Sequence, residues 1–267
     1  MMHGRSGRPG CPETAHRRPE RPARTLRARA GTAIVKAMFA SFHTEILPVP
    51  QKRLWDRLGD TPDGFVLYGG TALALRLAHR ESVDFGFFSR AAFSPDSLCK
   101  EIPYLKNPVA TRMEESTLEC LLDVEGHVKI SFFGGLCLRS VQEPDRAAGP
   151  GIPVASVLDI AATKALSVQN RASAKDFVDI GALLDSGLSM DRMLGAAQAV
   201  HGPAFNPVLT MKALAFYGDG DLHLVPERVR KALGEAVKKV DPGSLPGFRA
   251  RETLCEGVGD EAFRHGF

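Results

Sequence analysis

Asp84 and the glycine pair Gly69-Gly70 are the residues most able to do chemistry in the stretch LYGGTALALRLAHRESVDFGFFS, which runs from Leu67 to Ser89. An apolar run that breaks at glycines and continues as a helix leaves free backbone N–H groups and the positive end of a helix dipole at the break, which suits a phosphate. Thr71 follows and is a candidate cap for that helix. Side chains at i and i+2 of a strand point the same way, so positions 84 and 86 share one face of a sheet. Two carboxylates there would grip Mg²⁺ on the phosphates of a nucleotide. The chain offers Asp84 and then Gly86. Magnesium leans on water and substrate phosphates, so one carboxylate still helps to hold it, with Glu81 or water as partial compensation.

The ordered set Gly69-Gly70-Thr71, His79-Arg80-x-Ser82-x-Asp84-x-x-Phe87-Phe88-Ser89, Val128-Lys-Ile-Ser-Phe-Phe133, Asp159-x4-Lys164 and Lys175-Asp176-Phe177-x-Asp179-Ile180 resembles the AbiEii/AbiGii toxin-like nucleotidyltransferases of the polymerase-β-like superfamily. The resemblance runs from about Met38 to about Lys239. It implies a Mg²⁺- or Mn²⁺-dependent transfer of a nucleoside monophosphate from an NTP to an acceptor, an RNA 3′ end such as tRNA or a protein hydroxyl, and a cognate antitoxin as a partner. It also implies roles: Gly69, Gly70 and Thr71 hold the triphosphate, Asp84 binds metal, Lys164 neutralises phosphate charge, and Asp176 completes the catalytic site by binding metal or activating the acceptor. Gly86 and Ser131 stand where related sequences carry further carboxylates. The alternative is therefore a degenerate nucleotidyltransferase fold that binds nucleotide, RNA or protein without catalysing transfer.

Each candidate also has a plain structural reading. Asp84 would cap a turn at a strand edge, and Lys164, among Ala161, Ala162, Ala165 and Leu166, would snorkel from a packed helix face. Arg171, Lys175, Asp176 and Asp179 would form a solvated face of ion pairs. Arg80 and Ser82 are placed to orient Asp84 by hydrogen bonding. His79 begins no His-x-x-x-His pattern, and Ser131 has no His/Asp partner at a nucleophile's spacing.

The elements that must position these residues are legible as α/β (α+β): a small mixed-sheet domain followed by an all-helical one. Pro50 to Leu58 reads as a short helix, Phe65 to Tyr68 and Val83 to Phe88 as buried strands, and Ser94-Pro95-Asp96 as a helix start. Val109–Met113, Thr117–Val124 and His127–Phe133 read as three strands joined by turns, the last two separated by Glu125-Gly126 as in a hairpin. From Pro153 the pattern becomes helical, with segments at Ala155–Gln169, Lys175–Ser186, Met190–Val200, Pro207–Tyr217 and Pro226–Lys239. The expected division is a basic tail at 1–37, an α/β domain at 38–150, a helical domain at 151–245 and a C-terminal tail at 246–267.

Composition narrows the class. At 267 residues and 44% apolar content the chain is of globular type. Its longest apolar runs fall far short of the roughly 20 residues that span a bilayer, so no membrane association is expected. Five scattered cysteines without a CxxC pair support neither a zinc site nor a disulfide framework, which makes a reducing cytoplasm the expected setting. Residues 1–37 hold nine Lys/Arg against Glu13 and Glu20. That tail either binds nucleic acid through phosphate neutralisation or is spurious, with Met38 as the start.

Overall fold

The computed structural model describes residues 42–136 and 138–251, so the basic tail and the last sixteen residues lie outside it. Seven strands, β1 (Val66–Tyr68), β2 (Asp84–Phe88), β3 (Ala110–Glu114), β4 (Thr117–Asp123), β5 (His127–Phe133), β6 (Asp145–Arg146) and β7 (Pro153–Val154), form a mixed sheet in the order β3-β4-β5-β2-β1-β7-β6. The helices are α1 (Val49–Trp55), α2 (Gly69–Leu77), α3 (Pro95–Glu101), α4 (Val157–Asn170), α5 (Ala174–Asp185), α6 (Met190–His201), α7 (Pro207–Leu214) and α8 (Glu227–Lys238). The architecture is a mixed α/β sheet followed by helices.

Period-two alternation decides which face of the sheet is dry. Phe85 and Phe87 of β2, Leu118, Cys120 and Leu122 of β4, and Val128, Ile130 and Phe132 of β5 are buried together. Phe87 stacks on Phe132 at 5.3 Å, and Trp55 of α1 packs against Phe85. Rings of this size contribute roughly 2–3 kcal/mol each on burial. The alternate positions, Asp84, Gly86, Glu119, Lys129 and Ser131, lie on the other face. Register fixes their neighbours: β2 and β5 run parallel with Asp84 opposite Lys129 and Gly86 opposite Ser131, while β4 runs antiparallel to β5 with Glu119 opposite Ser131.

Two features depart from the sequence reading. The helix after β1 begins at Gly69, with Tyr68 as its N-cap, so Thr71 lies inside the first turn and does not cap it. Strands β6 and β7 have two residues each, too short for any periodicity to show, and β7 carries the sheet to residue 154. Buried Arg76 of α2 secures them: its guanidinium donates to the Val154 and Ala155 carbonyls at 2.9 and 2.8 Å and pairs with Asp145 at 2.8 Å. In sequence that arginine merely interrupts an apolar run.

The first helix after the sheet is buried along nearly its whole length and packs on α2, α5, α6 and α7. Ser156 caps it, accepting from the Asp159 N–H at 3.0 Å while its hydroxyl donates to the Asp159 carboxylate at 2.6 Å. Asp159 also accepts from the backbone of Val141 and Gln142, so this residue joins a loop to a helix end.

At the end of α6, His201 lies with Nε2 3.1 Å from the Ala162 carbonyl, and burial pushes its pKa down to about 4. An unfolded histidine takes up its proton near pH 6.5. Between those values the unfolded state binds the extra proton, so stability is complete above about pH 6.5 and falls as pH drops, by at most about 1.4 kcal/mol per unit. Urea unfolding at pH 7, 6, 5 and 4.5 should show this slope, and His201→Gln should remove most of it. Equal slopes in the two proteins would refute the assignment.

Candidate active site

The glycine pair has two separate physical reasons. Gly69 takes φ +79°, a left-handed conformation that side chains disfavour. Gly70 has an ordinary φ, but a Cβ there would stand 2.8 Å from Arg80 Nη2 and 3.0 Å from Ser82 Oγ. The segment 80–82 therefore lies directly against the turn. Thr71 is fully buried behind it, and its hydroxyl donates to the Asp84 carbonyl at 2.5 Å and lies 2.9 Å from Ser82 Oγ. The Thr71 side chain thus ties the start of α2 to the start of β2 and does not line the open space. What faces that space is the helix start with its unpaired N–H groups, and the exposed Asp84 beside it.

The opposite wall comes from α4 and α5. Lys164, with 6% of its side chain exposed, places Nζ 2.6 Å from both Asp176 Oδ1 and Asp179 Oδ2. Arg171 grips Asp176 at 2.6 and 3.1 Å. Arg80 grips Asp179 at 2.6 and 2.9 Å, and His79 Nε2 adds a contact of 2.7 Å. Burial alone would raise both aspartates. For Asp179 the His79 hydrogen bond and the charges of Lys164 and Arg80 outweigh it, and for Asp176 the Arg171 and Lys164 contacts do, so both carboxyls are held below their usual range. Of the charged run at 171–179, Asp176 and Asp179 are buried in an ion-pair network, whereas Arg171 is half exposed and Lys175 faces solvent; Arg80 orients Asp179 where the sequence suggested Asp84.

Between the walls lies a cavity of about 690 Å³ lined by Gly69, Gly70, Asp84, Gly86, Lys164 and Asp176 among others. Gly86 has an ordinary strand conformation, and a Cβ there would meet Phe88 Cε2 at 3.6 Å, normal packing distance. The position has room for a side chain. Ser131 beside it is 6% exposed, with Oγ 3.4 Å from Glu119 Oε1. Among the lining residues that escaped the sequence reading are Glu119 and Lys129, whose charged groups meet at 2.6 Å. The Lys129 hydrogen bond outweighs partial burial and holds the Glu119 carboxyl below its usual range. The hairpin that joins β4 to β5 is legible in the sequence, but the parallel pairing of β5 with β2, which puts both residues on the Asp84 face, is not.

Among the described residues no three His, Cys, Asp or Glu side chains converge as metal ligands. Asp84 stands with Gly86 two residues on and an ammonium side chain across the strand. That donor set does not make a resident metal site. It does fit Mg²⁺ that arrives on a triphosphate, since such an ion keeps its phosphate and water ligands and takes one or two carboxylates from the protein.

Comparison with known proteins places the chain. The sequence model of a family described as "Nucleotidyl transferase AbiEii toxin, Type IV TA system" matches residues 53–241. An uncharacterized protein of Aquifex aeolicus (strain VF5) is 36% identical over 122 residues, 45% of this chain and 57% of that protein, so the match spans little more than half of that relative. Among solved structures, MenT4, a nucleotidyltransferase toxin from Mycobacterium tuberculosis H37Rv, superposes with a TM-score of 0.47 and 16% identity, covering 78% of this chain and 90% of its own. No helix among the described residues is long and apolar enough to cross a membrane.

The buried and the half-exposed members of this network predict unequal costs of disruption. Asp179→Ala takes one of two carboxylates from Lys164 and the carboxylate from Arg80 and His79 in a buried space, and should cost about 3–5 kcal/mol. Arg171→Ala removes a partner that is 44% exposed and should cost about 1 kcal/mol or less. Denaturant titrations that gave equal losses would contradict the network as described.

Proposed function

Because the chain belongs to the AbiEii nucleotidyl transferase toxin family, we propose that its cavity transfers a nucleoside monophosphate from a Mg²⁺-bound NTP to an acceptor hydroxyl. The acceptor is an RNA 3′ end, such as that of tRNA, or a protein side chain, and the toxin works against a cognate antitoxin. The observation that carries this reading is the meeting of Gly69, Gly70 and Asp84 on one wall with Lys164 and Asp176 on the other around a single cavity.

The roles follow from what each group has to offer. Backbone N–H groups at the start of α2 orient the phosphates, and Asp84 receives the ion that travels with them. Bound there, Mg²⁺ or Mn²⁺ withdraws charge from the phosphate oxygens. The acceptor oxygen forms a bond to the α-phosphorus, its proton passes to solvent, and the bond to the β-phosphate oxygen breaks so that pyrophosphate leaves with the electron pair. Asp176, held ionised by Lys164 and Arg171, is a poor proton acceptor and serves to hold those cations in place. Positioning and charge stabilisation contribute most in transfers of this type.

A second reading, a nucleotide- or RNA-binding module without transfer, is favoured by Gly86 and Ser131 at positions where carboxylates are expected. Incubation with each NTP, Mg²⁺ or Mn²⁺ and total RNA separates the two. The transferase reading expects pyrophosphate release that Asp84→Ala lowers at least 100-fold. A raised melting temperature with no pyrophosphate from any NTP would establish the module instead.

Position 86 supplies the complementary gain. Since there is space for a side chain and no backbone conflict, Gly86→Asp should add a carboxylate beside Asp84, tighten Mg²⁺ on the bound nucleotide and raise transfer about tenfold. The gain must vanish when Asp84→Ala is added. A gain that persisted without Asp84 would show that position 86 is not half of a metal-binding pair.

A further inference from the structure

The resemblance assigns the phosphate charge to Lys164, yet in the structure this ammonium is 6% exposed and bridges two buried carboxylates at 2.6 Å each. Its charge is already matched. Arg80 and Arg171 are likewise held by Asp179 and Asp176 in two-pronged contacts. We propose that Lys129, on β5, is the cation that meets the triphosphate, an assignment that rests on the transfer reading above.

Three observations carry it. Lys129 stands directly opposite Asp84 in the parallel β2–β5 pair, while β1 and the glycine turn flank Asp84 on the other side, with Tyr68 opposite Gly86. The helix start, Asp84 and Lys129 therefore cross three neighbouring strands over about 10 Å, two strand spacings. That is a span an extended triphosphate can bridge, with its ion at the central carboxylate. Lys129 is also 46% exposed at the side chain, and its ammonium pairs with Glu119 at 2.6 Å. Glu119 sits on the far side from Asp84 and steers the ammonium over the sheet face without burying it. Finally, a triphosphate brings more negative charge than one Mg²⁺ cancels, and Glu119 and Asp84 both add to it. A mobile ammonium at this point offsets that excess at little cost, because its short hydrated head needs no desolvation before the ligand arrives.

Inorganic tripolyphosphate with Mg²⁺ is the probe, since it omits the base and the acceptor. Calorimetric titration of the full chain should show binding that Lys129→Met weakens at least tenfold and Lys129→Arg leaves within about threefold. The fall in affinity with added salt should be shallower in Lys129→Met by about one counterion. Lys175→Met removes an exposed lysine on the helical wall of the same cavity and should weaken binding less than Lys129→Met. Thermal unfolding of Lys129→Met should match the parent, because its side chain lies at a half-exposed surface. Parent-like tripolyphosphate binding by Lys129→Met, a loss in Lys129→Arg as large as in Lys129→Met, or a greater loss in Lys175→Met would each overturn the assignment. If those results came from a chain that still released pyrophosphate from an NTP, the transfer reading would stand. Failure of the parent protein both to bind tripolyphosphate and to release pyrophosphate would remove both.

Discussion

The ammonium of Lys164, caged between Asp176 and Asp179, is the interaction on which the rest of the site depends. Asp179 also receives Arg80 and His79, residues that follow α2 and lead into β2. One buried carboxylate thus binds the helical half of the chain to the short segment between the glycine turn and Asp84. Arg80 in turn lies so close to the turn that position 70 accommodates only glycine without a shift. Removing charges from water costs several kcal/mol per ion, and the geometry must return it through pairing and hydrogen bonds. Within this network Lys164, Asp176 and Asp179 each have partners of opposite sign, and the network ties the two walls of the cavity together.

The sheet contributes the second constraint. Its alternation commits one face to the apolar core, while the other carries Asp84, Glu119, Lys129 and Ser131 beside the aromatic pair Tyr68 and Phe88, so substitutions at the polar positions are felt in the cavity. That separation explains how a chain can carry glycine at position 86 and serine at 131 and still keep an intact fold. It also explains why Lys129 and Glu119 can hold a charge pair there at modest expense. The site's electrostatics can be rewritten residue by residue while Phe85, Phe87, Ile130 and Phe132 hold the frame.

Much of this frame is legible in the sequence, for identifiable reasons. β2 shows as a short apolar run, β4 alternates, the hairpin at Glu125-Gly126 has two residues with positive φ, and the later helices are bounded by Pro, Gly or Asn. β6 and β7 are not legible, because they owe their existence to Arg76 and to pairing with β1 and not to local pattern. In sequence a threonine after two glycines has the pattern of a cap, whereas in the fold Gly69 has positive φ and the N-cap is Tyr68, three residues before Thr71. The cavity's lining is half legible. Gly69, Gly70, Asp84, Lys164 and Asp176 stand in recognisable motifs, but the burial of Asp179, the capture of Lys164 and the approach of Lys129 to the Asp84 face arise from pairing across the fold.

The central claim is that the triphosphate lies across the sheet between the start of α2 and Lys129, with Asp84 beneath it. A crystal structure of the full chain with Mg²⁺ and an α,β-methylene nucleoside triphosphate tests this most directly, with all four bases offered. The account predicts phosphate oxygens within hydrogen-bond distance of the backbone N–H groups at Gly69 and Gly70 and of Lys129 Nζ, and one Mg²⁺ touching Asp84. Phosphates seated instead in the separate cavity of about 570 Å³ beyond Tyr68 and Phe88, with Asp84 and Lys129 untouched, would contradict it.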